Sequence, residues 1–328
     1  MNKINRITLF LMIILILTSV TGCTKNNDND EIETEFIEEE YNLEVAEGNI
    51  YGTLTLPKEG NNFPVAIIIA GSGPTDRDGN NPLAGKNNSL KMISESLAKE
   101  GIASIRYDKR GIGESKPLVK KEEDLIFEDY IDDVVRWVNK LREDKRFSKV
   151  IIIGHSEGAL IGATASYKSN VEGFISVSGM GYSTYDTLKR QLKNQSGDIY
   201  EKSLPLLDTL KEGNLIFNPP QELYSLFRPS VQPYMISWFK YDPVAEIANV
   251  KVPILILQGD NDIQVEVTDA EILHEGNPDS KLVIVKGMNH VLKDAPTDKE
   301  GNMATYSKPD LPLNQEFITE IITFVKGI

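Results

Sequence analysis

Cysteine is almost missing from this chain: Cys23 stands alone among 328 residues, so no intramolecular disulfide can form. Basic residues are outnumbered, 35 Lys and Arg against 49 Asp and Glu, for a net charge of -14. That balance argues against nucleic acid as a partner, because phosphate must be met by clustered cations. Only three histidines occur, which shortens any search for a catalytic base. The apolar run that opens the chain, Ile7 to Val20, falls short of the roughly 20 residues that a membrane span needs. With 40% hydrophobic and 26% charged residues, the remainder has a globular composition. It is long enough for one large core or two smaller ones.

The N-terminus reads as a secretory signal: Lys3 and Arg6, then the apolar run, then Thr21-Gly22-Cys23. Val20 to Cys23 resembles a bacterial lipobox, in which the cysteine is lipidated and becomes the new N-terminus. The expectation is therefore a signal peptide over residues 1–22 and an extracytoplasmic lipoprotein held to the membrane of the cell envelope through Cys23. An uncleaved N-terminal anchor is the competing reading. Residues 24–40, TKNNDNDEIETEFIEEE, carry eight acids and one lysine. Such a run buries too little apolar surface to fold, so residues 23–40 are expected to form an acidic tether and the folded domain to span 41–328.

Within that domain, YNLEVAEGNIYGTLTLP alternates around Gly48-Asn49, a hairpin signal. FPVAIIIAG is a continuous apolar run of the kind that forms a central strand buried on both faces. From there strands and helices alternate: SLKMISESLAKEG, IASIRY, a helix with Tyr130, Val134, Trp137, Val138 and Leu141 on one face, KVIIIG, EGALIGATASY, VEGFISVSG, VPILILQGD, a helix to about Glu275, KLVIVKG and a last helix. This order predicts an α/β fold with a mostly parallel sheet covered by helices on both faces. The alternation breaks once, over about 182–250, where aromatic-rich helical pieces are interrupted by Pro219, Pro220, Pro229 and Pro233. That stretch is too long for a plain connection and is read as a cap insertion. Its aromatics, Tyr182, Tyr185, Tyr224, Phe227, Tyr234, Trp238 and Phe239, are expected either to wall a pocket or to pack the cap onto the main domain.

Gly154-His155-Ser156-Glu157-Gly158 lies where the strand KVIIIG hands over to a helix. A serine hydroxyl is a weak nucleophile unless a histidine takes its proton, a carboxylate orients that histidine and N–H donors receive the oxyanion. In a parallel sheet these groups should meet at the carboxyl ends of strands. His155 adjoins the serine and is expected to pack away from the reaction; His274 sits near a helix end. His290, in the loop after the last strand, is the candidate base. The loop after PILILQG holds two aspartates. Asp262, at its crest, is the better placed to reach His290, whereas Asp260 suits bonding of the turn's backbone. Ser156, Asp262 and His290 then follow the chain order of a strand–elbow–helix nucleophile. The Glu157 N–H should supply one oxyanion donor. Ser72, in AGSGPTDRDGN after the first central strand, should supply the second, with Gly71 and Gly73 as alternatives. A phosphate-cradling role for that loop is weak, since no G-K-[ST] follows.

GSGPTDRDGN, RYDKRGIGES, GHSEGA, GDND and GMNH, in this order, resemble the α/β-hydrolase superfamily, in particular its bacterial dienelactone-hydrolase-like and serine-aminopeptidase-like branch. The resemblance covers Tyr41 to Ile328. It implies an eight-stranded sheet, no metal or organic cofactor, and acyl transfer to water through a covalent intermediate. Asp108 and Arg110 read as structural, and Asp76-Arg77-Asp78 either organise the oxyanion loop or meet a charged substrate group. The histidine loop is extended through VLKDAPTDKEGNMATYSKPDLP and is expected to form part of a pocket rim. The expected activity is hydrolysis of a small-molecule carboxylic ester. Peptide or thioester hydrolysis on the same residues is the alternative among enzymes, and a surface-anchored binding protein is the alternative outside them.

Overall fold

The computed structural model describes residues 35–193 and 198–328. The expected signal segment, Cys23 with its expected lipidation, and most of the expected acidic tether lie outside the described residues.

Among the described residues ten short runs become strands: β1 (Phe36–Glu40), β2 (Leu43–Val45), β3 (Gly48–Ile50), β4 (Gly52–Pro57), β5 (Phe63–Ile69), β6 (Ala103–Tyr107), β7 (Phe147–His155), β8 (Gly173–Val177), β9 (Ile254–Gly259) and β10 (Lys281–Val285). Eight of them form one sheet in the order β1-β4-β6-β5-β7-β8-β9-β10. Its first two pairings are antiparallel and the remaining five are parallel. The expected eight-stranded, mostly parallel sheet is therefore observed.

The helices are α1 (Ser89–Lys99), α2 (Phe127–Glu143), α3 (Glu157–Lys168), α4 (Thr184–Lys193), α5 (Ile199–Lys211), α6 (Tyr224–Phe227), α7 (Gln232–Trp238), α8 (Pro243–Asn249), α9 (Val267–Gly276), α10 (Lys299–Ala304) and α11 (Gln315–Gly327). Alternate residues of a strand point to opposite faces, and here both faces are apolar. Val65, Ile67 and Ile69 of β5 pack in one core with α2, α3, α8 and α9. Ala66 and Ile68 pack in the other with α1 and α11. Burial on both faces explains why these strands read as unbroken apolar runs.

Three expected boundaries are corrected. The folded domain takes in Phe36–Glu40 and not only Tyr41 onward, because these residues of the presumed tether form strand β1 on β4. Its acids are not merely solvated: Glu38 pairs with buried Arg106 and Glu39 with Arg146. The hairpin turns at Ala46-Glu47, since Val45 pairs with Gly48. The cap also ends earlier than 250. A separate apolar cluster of Tyr185, Leu207, Leu210, Leu223, Phe227 and Met235 binds α4 to α7 together. The Asp242 side chain, however, caps α8 by accepting from the N–H groups of Val244 and Ala245, and Ile247 of α8 belongs to the main core. The insertion thus spans about 182–241.

Candidate active site

Strand β7 ends at His155 and α3 begins at Glu157, leaving Ser156 alone to make the turn. Its φ is 55° and ψ -120°, backbone space that a side-chain-bearing residue enters only when its surroundings force it. The force is close packing of strand on helix. A Cβ at Gly154 would lie 2.1 Å from the Gly158 carbonyl oxygen, and one at Gly158 would lie 2.5 Å from that of Ile69. Both glycines are needed for α3 to rise this steeply from the sheet. The Ser156 N–H donates to Val177 O at 2.9 Å, which anchors the turn to β8.

The other predicted side chains stand at the same carboxyl edge. His290 Nδ1 lies 2.7 Å from Asp262 Oδ2, and both are buried. Since a carboxylate only accepts, Nδ1 carries the proton and Nε2 is left as the acceptor in the neutral ring. Burial alone would raise the Asp262 carboxyl. The His290 ring and the N–H groups of Val265 and Gln264, which donate to Oδ1 at 3.0 and 2.8 Å, outweigh it and hold the pKa below the ordinary value. Asp260 takes the other role expected of it. Its Oδ1 accepts from Gly287 N–H at 2.6 Å, tying the aspartate loop to the histidine loop.

His155 does more than pack. Its Nε2 is 2.9 Å from the His290 carbonyl oxygen, and the two rings lie tilted at 47° with centroids 4.8 Å apart. Desolvation, then the neighbouring His290, pushes its pKa down to about 3. The ring is therefore neutral at pH 7, and Nε2–H donates to a carbonyl that can only accept. This bond draws the His290 loop onto the serine elbow. His274 bonds Ser280 at 2.9 Å, away from these loops.

The loop after β5 passes beside the elbow: a Cβ at Gly71 would be 3.1 Å from that of Ser156. Among the described residues, neither the Ser72 nor the Glu157 N–H finds a backbone or side-chain acceptor. Asp76-Arg77-Asp78 serve this loop internally. Asp76 Oδ1 accepts from the N–H groups of Asp78 and Asn80, Arg77 binds Asp108, and Asp78 pairs with Arg106. Arg110 grips Asp133 with two bonds of 2.6 and 2.9 Å, the structural role expected of it. The extended histidine loop contributes no lining residue to the cavity under the cap, which corrects the expectation that it rims that pocket. It folds back as α10, and Asn302 Nδ2 donates to Asn261 O at 2.8 Å, bracing the two loops that carry Asp262 and His290.

A cavity of about 590 Å³ opens between the oxyanion loop, the segment after β6 and the cap. Ser72 and Glu157 border it, with Leu125, Tyr130, Leu226, Tyr234, Met235 and Trp238 among its walls. The cap aromatics divide between their two expected uses. Tyr234 and Trp238 line the cavity and also pack on Phe127, Phe227 sits in the cap's own core, and Tyr224 is exposed. Sequence reasoning missed Lys109, whose ammonium is buried here against Glu157 at 2.5 Å. No spacing rule links those two positions. Among the described residues no cluster of three or more His, Cys, Asp or Glu side chains could hold a metal ion.

A family model described as serine aminopeptidase, S33, matches residues 85–229, a range that holds Ser156 but neither Asp262 nor His290. Esterase EstD of Thermotoga maritima is 28% identical over 270 residues, which are 80% of this chain and 62% of that protein. Among solved structures, Est1E of Butyrivibrio proteoclasticus with ferulic acid bound aligns over 88% of this chain and 100% of its own, with TM-score 0.60 and 17% identity. A dienelactone hydrolase from Anabaena variabilis aligns over 89% and 98%, with TM-score 0.53 and 14% identity. Sheet, elbow and these likenesses agree on the architecture: the chain has the α/β-hydrolase fold.

Proposed function

We propose that the protein hydrolyses carboxylic esters through a Ser156–His290–Asp262 triad and a covalent acyl-enzyme. The observation that carries this reading is the Asp262–His290 pair at 2.7 Å, joined through His155 to an elbow that holds Ser156 at positive φ. In the first step Ser156 Oγ attacks the ester carbonyl carbon while His290 Nε2 takes the hydroxyl proton. The carbonyl oxygen becomes an oxyanion, received by the Glu157 and Ser72 N–H groups. Collapse breaks the ester C–O bond, and the imidazolium returns its proton to the departing alcohol. Water then attacks the acyl-enzyme, again giving its proton to His290; collapse breaks the acyl–Oγ bond, the imidazolium returns that proton to Ser156 Oγ, and the acid leaves. Asp262 stays ionised throughout, fixing the tautomer and stabilising the imidazolium.

The cavity supports an ester with a sizeable apolar group. Its volume lies within the ~300–1,000 Å³ range of small-molecule sites, and its walls are largely apolar. An aminopeptidase would need a free carboxylate for the substrate's ammonium group. The two acids that line the cavity are engaged, Glu122 by Arg228 and Glu157 by Lys109, which favours esters over amino-acyl amides. The test compares an ester and an amino-acyl amide sharing one acyl group, each with wild type and Ser156→Ala. Ester turnover should exceed amide turnover and vanish in the variant; preferred cleavage of the amide would reverse the assignment.

A further inference from the structure

Lys109 is 2% exposed and Glu157 is 2% exposed. Burying an ion pair rarely adds stability over apolar residues of similar volume, so this pair calls for a reason beyond packing. The buried ammonium meets Glu157 Oε2 at 2.5 Å, the Gly71 carbonyl oxygen at 2.8 Å and the face of the Tyr130 ring at 4.7 Å. The second Glu157 oxygen accepts from Tyr234 OH at 2.6 Å, and Tyr234 belongs to cap helix α7. One chain of bonds therefore runs from the oxyanion loop through Lys109 and the residue after the nucleophile to the cap.

Peptide planarity gives this chain a consequence. In a trans peptide the C=O of one residue and the N–H of the next point in opposite directions. Holding the Gly71 carbonyl on Lys109 fixes the plane of the Gly71–Ser72 peptide and turns the Ser72 N–H away from the ammonium. That peptide lies beside Ser156, where a Gly71 Cβ would be 3.1 Å from the serine's. The same carboxylate that restrains Lys109 is carried by Glu157, whose N–H is the first donor. We infer that Lys109 is a positioning residue that orients the Ser72 N–H as the second oxyanion donor, and that Glu157 and Tyr234 make this orientation depend on a seated cap. The inference rests on the ester-hydrolase reading.

The test uses full-length wild type, Lys109→Met/Glu157→Gln, which removes both buried charges together, and Tyr234→Phe, which removes one hydroxyl and strands no charge. For each, kcat and KM on a p-nitrophenyl ester are measured, with kcat counted per serine labelled by a fluorophosphonate. Affinity for a trifluoromethyl ketone, whose adduct carries an oxyanion, is measured beside them. Losing an oxyanion donor costs about 100- to 1,000-fold in kcat; misorienting one should cost the double variant about 10- to 100-fold, with KM within about threefold. Ketone affinity should fall by the same factor as kcat. Tyr234→Phe should show the same pattern at about 3- to 10-fold. A structural role alone would lower the labelled fraction and leave kcat per labelled serine unchanged. Wild-type kcat and ketone affinity in either labelled variant would overturn the inference while leaving the ester-hydrolase reading intact. Absence of an adduct on wild type would overturn both.

Discussion

Two aspartates two residues apart divide their labour by geometry. Asp262 touches His290, whereas Asp260 fastens the Gly287 N–H. Asp262→Asn should lower kcat by about 10⁴-fold, because the amide favours the wrong imidazole tautomer. Asp260→Asn keeps an acceptor for Gly287 and should stay within a few-fold of wild type. Steady-state kinetics on both variants check this, and a larger loss in Asp260→Asn would contradict it. His155 makes a second prediction at this scale. Its folded pKa is pushed down to about 3 from 6.5, so between those values the unfolded chain binds a proton that the folded chain does not. Stability should therefore fall as pH drops from about 6.5 towards 3. In His155→Gln the urea midpoint should decline less steeply, by up to one proton; an unchanged slope would show that His155 does not titrate this way. The three triad candidates were legible from chain order, since few histidines competed and strand ends confined the search. Lys109 was not. Its partners, Gly71 and Glu157, lie 38 and 48 residues away, and a lysine inside RYDKRGIGES carries no local sign of burial.

At the scale of elements, the parallel strands and their helices could be read because burial on both faces leaves an uninterrupted apolar run, and each helix keeps its spacing. The short antiparallel pieces could not be placed as well. Strand β1 contains three consecutive glutamates, and a rule that counts charges sees a solvated tail. What makes it a strand is distant: the backbone of β4 and the cations Arg106 and Arg146. A chain shortened to begin at Tyr41 should accordingly unfold at a temperature lower by about 5 °C or more than one beginning at Glu35. It loses a strand and deprives buried Arg106 of Glu38. Equal midpoints in thermal unfolding would mean that β1 adds nothing. The boundary between cap and main domain was blurred for a related reason. α8 follows the aromatic-rich segment without a composition change, and only its packing on α3 and α9 assigns it to the main core.

For the whole molecule, cap, oxyanion loop and elbow enclose one apolar cavity whose acids are already paired, and this favours a neutral ester over a charged peptide. We propose that Cys23 holds this protein to a membrane of the cell envelope. Cys23→Ala should move it from the membrane fraction to the soluble one, and unchanged partitioning would contradict that. The central claim is that Ser156 is an activated nucleophile. It is tested most directly by intact mass of the wild-type protein and of Ser156→Ala after exposure to a fluorophosphonate. The account predicts a single adduct on wild type and none on the variant. An adduct of equal yield on both, or none on wild type, would contradict it.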